Sequence, residues 1–599
     1  VGTRQTDGTL VYDELKPGYT MPGERVFSYA YDVTQMITAN QANAISANVS
    51  SGWWSGRVAG SHGKNNAFRA QLLLNYTDGS SEVIGTVRSW KTAIKGPVLS
   101  ADIYDGENYD ANADLSYRKP GYDDSQWTEA DLNTEFSGEI VPQIGPSVRI
   151  RKDLTLTPKE TKVYDGVSGT AADRYGKIHV TGTYSGSSSF SLKANEKAVV
   201  DLGQNFAGWE EIKVEGPKST TLTIRHGEML NDTDGLFSRG NDGPEGSIYT
   251  ANLRSAQATG RYILNGNGVE IYLPSHTYYG FSYLELSTTA NVTIRGVRGI
   301  VVTSVAENTG TLTTSNSDVN RLISNTVWGQ YSNYLSVPTD CPQRDERQGW
   351  TADTQVFSTA GSYNADTKGF LGKFMQDMRD SQTDNGAYPN TAPSGAFGGG
   401  GQLGWADAGI IVPYNLYKMY GDKSIIEKNY ASMQKFMDVF MKSTDKKGGG
   451  HAYGDWLAYE SNDDDMKSLL GIAYFAWDAQ MMAEMAGALG KDEDVAKYQQ
   501  VYEEEKVYFQ QQYVNTDGSL KRGEQTACLF ALKLDLLPNE ASREIVKQTL
   551  LDNIKRNGNK LQTGFLGTSI IMQTLTDIGA ADVAYQLLLQ RNNPSWLSA

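Results

Sequence analysis

Near Ser315 the hydrophobic period of this 599-residue chain changes from two to about 3.6, a change that no single layer of secondary structure can absorb. Before that point apolar residues alternate in short runs, as over residues 177–184, 188–193, 211–214 and 220–225. Gly, Asn, Asp and Ser separate the runs, and residues 76–80 and 265–268 have the composition of turns between strands. Roughly 300 residues of short strands exceed one sandwich, so a boundary is placed near residues 154–161. Beyond Ser315 the pattern is helical: Ser317 reads as an N-cap, with Val319, Leu322, Ile323 and Val327 on one face. A second helix is expected after Asp353, running to about Asp380. Others cover 406–420, closed by Gly421 as a left-handed cap, and 423–441, 466–489, 492–512, 524–536, 542–556, 567–577 and 580–590. Met and aromatic stripes such as Ile426, Tyr430, Met433, Met437 and Phe440 read as core, not as a cofactor box. These ten helices, joined by alternating short and long loops, suit a toroid of helical hairpins. The expected organisation is an N-terminal jelly-roll-like β-sandwich over 1–157, a second β-sandwich over 158–305 and an all-α toroid over 306–599.

Composition narrows the function classes. A net charge of −16 argues against nucleic acid or an anionic membrane as partner, and no run approaches the length of a membrane-spanning helix. Two cysteines, Cys341 and Cys528, make neither a disulfide framework nor a Cys-rich zinc site, and the five histidines lack ligand spacing. No metal site or cofactor is therefore expected, and no loop announces bound calcium. The run 398–401 lacks the Gly-Lys-Ser/Thr ending of a phosphate loop and reads as a pocket rim. Tyr and Trp are frequent, 34 and 11 residues, which suits carbohydrate handling as well as strand-rich structure. Oligomeric state is unreadable, and a secreted or periplasmic compartment is favoured over the cytoplasm.

The stretch 340–353, Asp-Cys-Pro-Gln-Arg-Asp-Glu-Arg-Gln-Gly-Trp-Thr-Ala-Asp, mixes four carboxylates, two arginines and a tryptophan. Pro338 and Pro342 on one side and Gly349 on the other disfavour a regular helix. The mixture suits a sugar: carboxylates accept from vicinal hydroxyls, Arg fixes orientation and Trp covers the apolar face of the ring. A carboxyl held protonated can also deliver its proton to a glycosidic oxygen. The same residues could instead form a salt-bridged loop between two helices.

This stretch closely resembles the signature of the glycoside hydrolase family 78 α-L-rhamnosidases of the bacterial type. Asp201-Leu-Gly-Gln-Asn-Phe-Ala-Gly-Trp209, residues 274–283 ending Gly280-Phe-Ser-Tyr283, Gly454-Asp-Trp456, Gln562-Thr-Gly-Phe-Leu-Gly567 and Pro594-Ser-Trp596 are similar to further family landmarks. So are residues 51–56, Trp90-Lys91 with Gly96-Pro97, and Asp105-Gly-Glu-Asn-Tyr-Asp110. The resemblance implies two β domains followed by an (α/α)6 toroid, and inverting hydrolysis of terminal α-L-rhamnosyl units without a redox cofactor. It places Glu346 as general acid, and Asp340, Arg344, Trp350 and Asp353 at substrate-binding positions. Trp405 and Trp456 fall where aromatics line the sugar pocket, Asp345 reads as a pair-forming acid, and Asp455 is open between helix cap and ligand.

Family members carry the general base after the Pro-Ser-Trp landmark, in a Trp-Glu-containing segment, whereas this chain reaches Ala599 three residues after Trp596. The chain is accordingly expected to be truncated at both ends, with the base beyond its last residue. Asp455 and Glu460 are the substitutes weighed for that base. Two rival readings stand beside hydrolysis. A toroid-fold polysaccharide lyase would want a basic cleft with a Tyr or His base, and a non-catalytic rhamnose-binding protein would keep only the Trp and Asp contacts.

Overall fold

The computed structural model describes residues 3–4, 10–94, 96–395, 399–442 and 453–598, so Gly398 and His451 lie outside the described residues. It divides into two compact units, residues 1–306 with 331–348, and residues 307–330 with 349–599. The stretch 331–348 thus belongs with the β structure although helices surround it in sequence.

The β unit is built on a twelve-stranded sheet. Along its main path follow Arg149–Ile150, Val292–Thr303, Lys197–Glu215, Tyr279–Thr288, Thr221–Gly227, Thr259–Ile263, Gly106–Asp110 and Val98–Asp102. Gly106–Asp110 runs parallel to Thr259–Ile263, so early strands share hydrogen bonds with late ones. The run expected over 211–214 is the end of the 19-residue strand Lys197–Glu215. Its middle hides the alternation because Phe206, Ala207, Trp209 and Glu210 are all buried. The Trp209 indole donates to the Thr277 carbonyl at 2.6 Å, satisfying the buried N–H.

The helical unit holds eleven α-helices among the described residues: α1 (Ser317–Asn333), α2 (Thr351–Asn364), α3 (Lys368–Asp380), α4 (Ala408–Tyr420), α5 (Lys423–Met441), α6 (Asp464–Ala488), α7 (Asp492–Tyr513), α8 (Gln525–Lys533), α9 (Glu540–Arg556), α10 (Phe565–Asp577) and α11 (Ala581–Leu588). The even-numbered helices pack in succession and α10 also meets α2, which makes an inner ring. Residues 525–532 of α8 are all buried, as an inner helix requires, whereas α9 buries only Ser542, Val546, Leu550, Asn553 and Ile554. No helix among the described residues is long and apolar enough to cross a membrane.

Two helix expectations change. The helix expected up to Asp380 is two, because Ala365 is extended and the Thr367 N–H donates to the Tyr420 hydroxyl at 2.8 Å instead of continuing the ladder. The cap of α1 is Asn316, not Ser317: its side-chain oxygen accepts from the Asp318 and Val319 N–H groups at 2.9 and 3.1 Å. Gly421 does close α4 in the left-handed conformation, with φ 68°.

Candidate active site

The loop 339–348 is irregular, as its prolines predict, and closes on Asp340. The Asp340 N–H donates to the Gln348 carbonyl at 3.0 Å, and the Gln348 N–H returns to Asp340 Oδ1 at 2.9 Å. Its bed is the strand Tyr279–Thr288, where a Cβ at Gly280 would come within 2.7 Å of Pro342. That close approach is what the Gly280-Phe-Ser-Tyr283 landmark permits. Buried Arg347 is the anchor, donating from Nη1 to the carbonyls of Ile103 and Tyr278, both at 2.7 Å, and from Nη2 to Gln343 at 3.0 Å. Tyr104 donates to the Glu346 carbonyl at 2.6 Å. The guanidinium that could have paired with Glu346 from the next position is thus spent on backbone.

Glu346 instead meets two other cations. Arg344 Nε donates to Glu346 Oε2 at 3.0 Å while its Nη2 reaches Asp340 Oδ2 at 3.3 Å. Arg254, from the turn after Ala251–Leu253, donates through Nη2 to the same Glu346 oxygen and through Nε lies 3.2 Å from Asp345 Oδ1. Asp345 also accepts from the Ser255 N–H at 3.0 Å, the pair-forming role its sequence context implied. Burial, then the neighbouring Glu346 charge, lift the Asp340 carboxyl to about 6. Behind Arg344, burial also raises Glu228, which accepts from Asn205 at 3.0 Å and Asn252 at 3.1 Å. One ligand atom each from Asp340, Cys341 and Glu346 lies within 4.8 Å of the others, a grouping able to hold a metal ion. Arg344 already bridges the two carboxylates, which supplies the positive charge a metal would bring.

In the helical unit the aromatic candidates gather around a residue that sequence reasoning missed, Tyr453. Its ring lies 4.5 Å from Trp405, 6.0 Å from Trp350 and 6.3 Å from Trp456, the last two edge-on. Trp405 is 3% exposed and also packs edge-on against Phe565, whereas Trp456 is 50% exposed. Burial raises the Tyr453 phenol, which accepts from Asn390 at 3.4 Å. Such a wall, part interior and part open, can cover the apolar face of a sugar ring. Trp350 directly precedes α2 and Asp353 lies in its first turn, where a carboxylate suits the helix dipole. Gly349 ahead of them is required, since a Cβ there would meet the Ala392 carbonyl at 2.1 Å.

Of the two roles open to Asp455, the structure shows the contacts that the cap reading requires. The side chain is buried, and Oδ2 accepts from Thr526 Oγ1 at 2.5 Å and the Gly564 N–H at 2.8 Å. Oδ1 accepts from the Leu566 and Gly567 N–H groups at 2.9 and 3.2 Å, so the carboxylate is wrapped by the N-terminus of α10. Glu460, weighed as a substitute base, accepts from the Gln525 N–H and the Asn553 side chain, both at 2.6 Å. Gly399 and Gly401 pair with Asn390 and Tyr388, so the described part of the glycine run is backbone-paired. No sequence motif marked Arg254, Ser255, Tyr104, Glu228 or Tyr453, although Tyr104 and Tyr453 adjoin the landmarks at 105–110 and 454–456.

Three family models match: the bacterial alpha-L-rhamnosidase 6 hairpin glycosidase domain over residues 307–599, the alpha-L-rhamnosidase N-terminal domain over 5–152, and the bacterial alpha-L-rhamnosidase concanavalin-like domain over 192–303. The chain is 38% identical to an alpha-L-rhamnosidase of Streptomyces avermitilis, covering 98% of this chain and 53% of that protein. It is 34% identical to one of Formosa agariphila, covering 98% and 60%. Among solved structures, that of the Streptomyces avermitilis alpha-L-rhamnosidase complexed with L-rhamnose superposes with a TM-score of 0.83 at 35% identity, covering 99% of this chain and 53% of the other. The alpha-L-rhamnosidase from Dictyoglumus thermophilum gives 0.84 at 30%, covering 99% and 62%. The chain therefore spans little more than half the length of these relatives.

Proposed function

The chain belongs to the bacterial α-L-rhamnosidases of glycoside hydrolase family 78, and on that premise we propose that the protein hydrolyses terminal α-L-rhamnosyl units of glycosides or polysaccharides with inversion. The observation that carries this reading is the Glu346 carboxyl, held by Arg344 and Arg254 on a loop that Arg347 anchors to distant backbone carbonyls. Glu346 is assigned as general acid. Its proton passes to the glycosidic oxygen as the bond to the anomeric carbon breaks, and a water attacks that carbon from the opposite face, losing its own proton to a general base. The resemblance assigns that base to the segment following the Pro594-Ser-Trp596 landmark. Asp340, Arg344 and Asp353 are assigned to the sugar hydroxyls, and Trp350, Trp405 and Trp456, with Tyr453, to the apolar ring face. L-rhamnose bound to the Streptomyces relative supports the choice of sugar.

The test is hydrolysis of 4-nitrophenyl α-L-rhamnoside with the anomer of the released sugar followed by proton NMR. Initial release of β-rhamnose is expected, and release of the α anomer would overturn inversion. In Glu346→Gln, turnover of an alkyl rhamnoside should fall by at least roughly 100-fold while the nitrophenyl substrate, whose leaving group needs little protonation, falls far less. Equal losses on both would remove Glu346 from the acid role. Rhamnose binding without turnover by the intact protein would favour the non-catalytic reading.

A further inference from the structure

The contact between Arg254 and Glu346 joins residues 92 apart, and its local setting is unusual for an ion pair on the surface. Arg254 sits at φ 57°, ψ −115°, a conformation an L side chain rarely adopts. The chain is fastened on either side of it. Before it, Thr250 donates from its N–H and its hydroxyl to Asp242 Oδ2 at 2.8 and 2.9 Å, and Asn252 donates to Glu228. After it, Ser255 donates to Asp345, and Arg57 holds the Ser255 hydroxyl at 2.8 Å and the Asp105 carboxylate at 2.5 Å. The Gln257 N–H also reaches Asp105, at 3.3 Å.

An exposed ion pair is ordinarily worth little, because water and side-chain entropy offset it. Arg254 is 49% exposed, though its partners Glu346 and Asp345 are 13% and 19% exposed, so the pairs are half-solvated and stability alone is a modest reason to hold Arg254 in a strained turn between pinned neighbours. Strain of this kind is kept where the surroundings fix a group for function. What it fixes here is the direction of a forked guanidinium, with Nε toward Asp345 and Nη2 on Glu346.

We propose that Arg254 is a positioning residue for the Glu346 carboxyl, orienting it toward the glycosidic oxygen and stabilising the anion left when its proton departs. This rests on the reading of Glu346 as general acid. Among the described residues of the β unit, the charged and titratable groups near Glu346 include Arg344, Asp340, Asp345 and Cys341 on its own loop, Arg254 from the neighbouring turn and Tyr104, which donates to the Glu346 carbonyl. Glu228 is within electrostatic reach of Arg344, and Arg57 of Asp345. Arg344 is divided between Asp340 and Glu346, and Arg254 adds a second cation beside the anion that each proton transfer creates. The consequence concerns leaving groups. An aglycone that must be protonated as it departs depends on this arrangement, and one that leaves as a stable anion does not.

The experiment compares Arg254→Met and Arg254→Lys in the full protein, on an alkyl α-L-rhamnoside and on the 4-nitrophenyl rhamnoside, each across pH. For Arg254→Met, kcat on the alkyl substrate should fall by roughly tenfold or more and on the nitrophenyl substrate by less than about threefold. Removing a cation favours the protonated carboxyl, so the alkaline limb of kcat/KM should move up by about half to one pH unit. Lys supplies a point charge without the fork, so it should return the limb toward its original position and leave the alkyl kcat low. In the Glu346→Gln background, Arg254→Met should add no further loss on either substrate. Equal losses on both substrates with an unmoved limb, or a further loss in the Glu346→Gln background, would overturn the proposal. Failure of the acid reading shows separately, as a Glu346→Gln variant without leaving-group dependence.

Discussion

Asp340 and Glu346 are close neighbours with different surroundings, and the difference is testable at the level of one side chain. Asp340 is buried beneath the loop it closes, and burial is the main cause of its carboxyl standing at about 6. The folded value lies above the ordinary one, so the fold binds this proton more tightly than the unfolded chain does. Stability is therefore lost as pH rises from about 4 through about 6, and the full cost is present above that. Asp340→Asn should stabilise the fold at pH 7.5 by up to about 3 kcal/mol, seen as a higher melting temperature, with no gain below pH 4. A lower melting temperature at pH 7.5 would mean that the contact from Arg344 outweighs burial. The same substitution should cut rhamnoside turnover, because Asn lacks the charge assigned to the sugar hydroxyls. At this scale the residue types of the 340–353 stretch were legible, but their pairings were not. Arg347 and Arg344 are equivalent in sequence terms as partners of Glu346, and the Ile103 and Tyr278 carbonyls, each next to a strand end, take one of them.

Among the elements, α10 shows how a residue in a family landmark can serve architecture. Asp455 makes four acceptor contacts, three of them to backbone N–H groups at the start of this helix. Asp455→Ala should destabilise the helical unit by about 2–4 kcal/mol, since it removes a cap and orphans buried donors. Protein that remains folded at low temperature should bind rhamnose with a Kd within about twofold of the original; lost binding at an unchanged melting temperature would return Asp455 to the ligand set. The helix bounds themselves were largely legible, because Gly421 and the 423–441 periodicity are local signals. The break between α2 and α3 was not. Ala365, Asp366 and Thr367 include neither Gly nor Pro, and it is the Tyr420 hydroxyl at the end of α4 that takes the Thr367 N–H.

For the whole molecule, the consequential fact is that residues 331–348 belong to the β unit. Besides Arg347, Ser336 bonds to Ser304 at 3.0 Å and to Tyr19 at 2.8 Å, and the Tyr334 carbonyl accepts from the Ser304 N–H at 2.6 Å. A fragment ending at 348 should therefore unfold cooperatively and at higher temperature than one ending at 306. The difference in unfolding free energy should be about 3–5 kcal/mol, given the Arg347 contacts alone and the buried carbonyls that their loss leaves unpaired. Identical melting curves would show that the loop contributes nothing to the β unit. Sequence by itself determined the change from strands to helices near Ser315, because periodicity and turn chemistry are carried by neighbouring residues. It likewise determined that 340–353 is a loop rich in acids, arginine and tryptophan. Only the tertiary structure decided that Glu346 meets Arg254, that Tyr453 gathers the tryptophans and that Asp455 is turned inward. Those outcomes depend on which distant segments the sheet and the helical ring bring together, and on how strongly burial favours each carboxylate's donors, neither of which is written in local spacing.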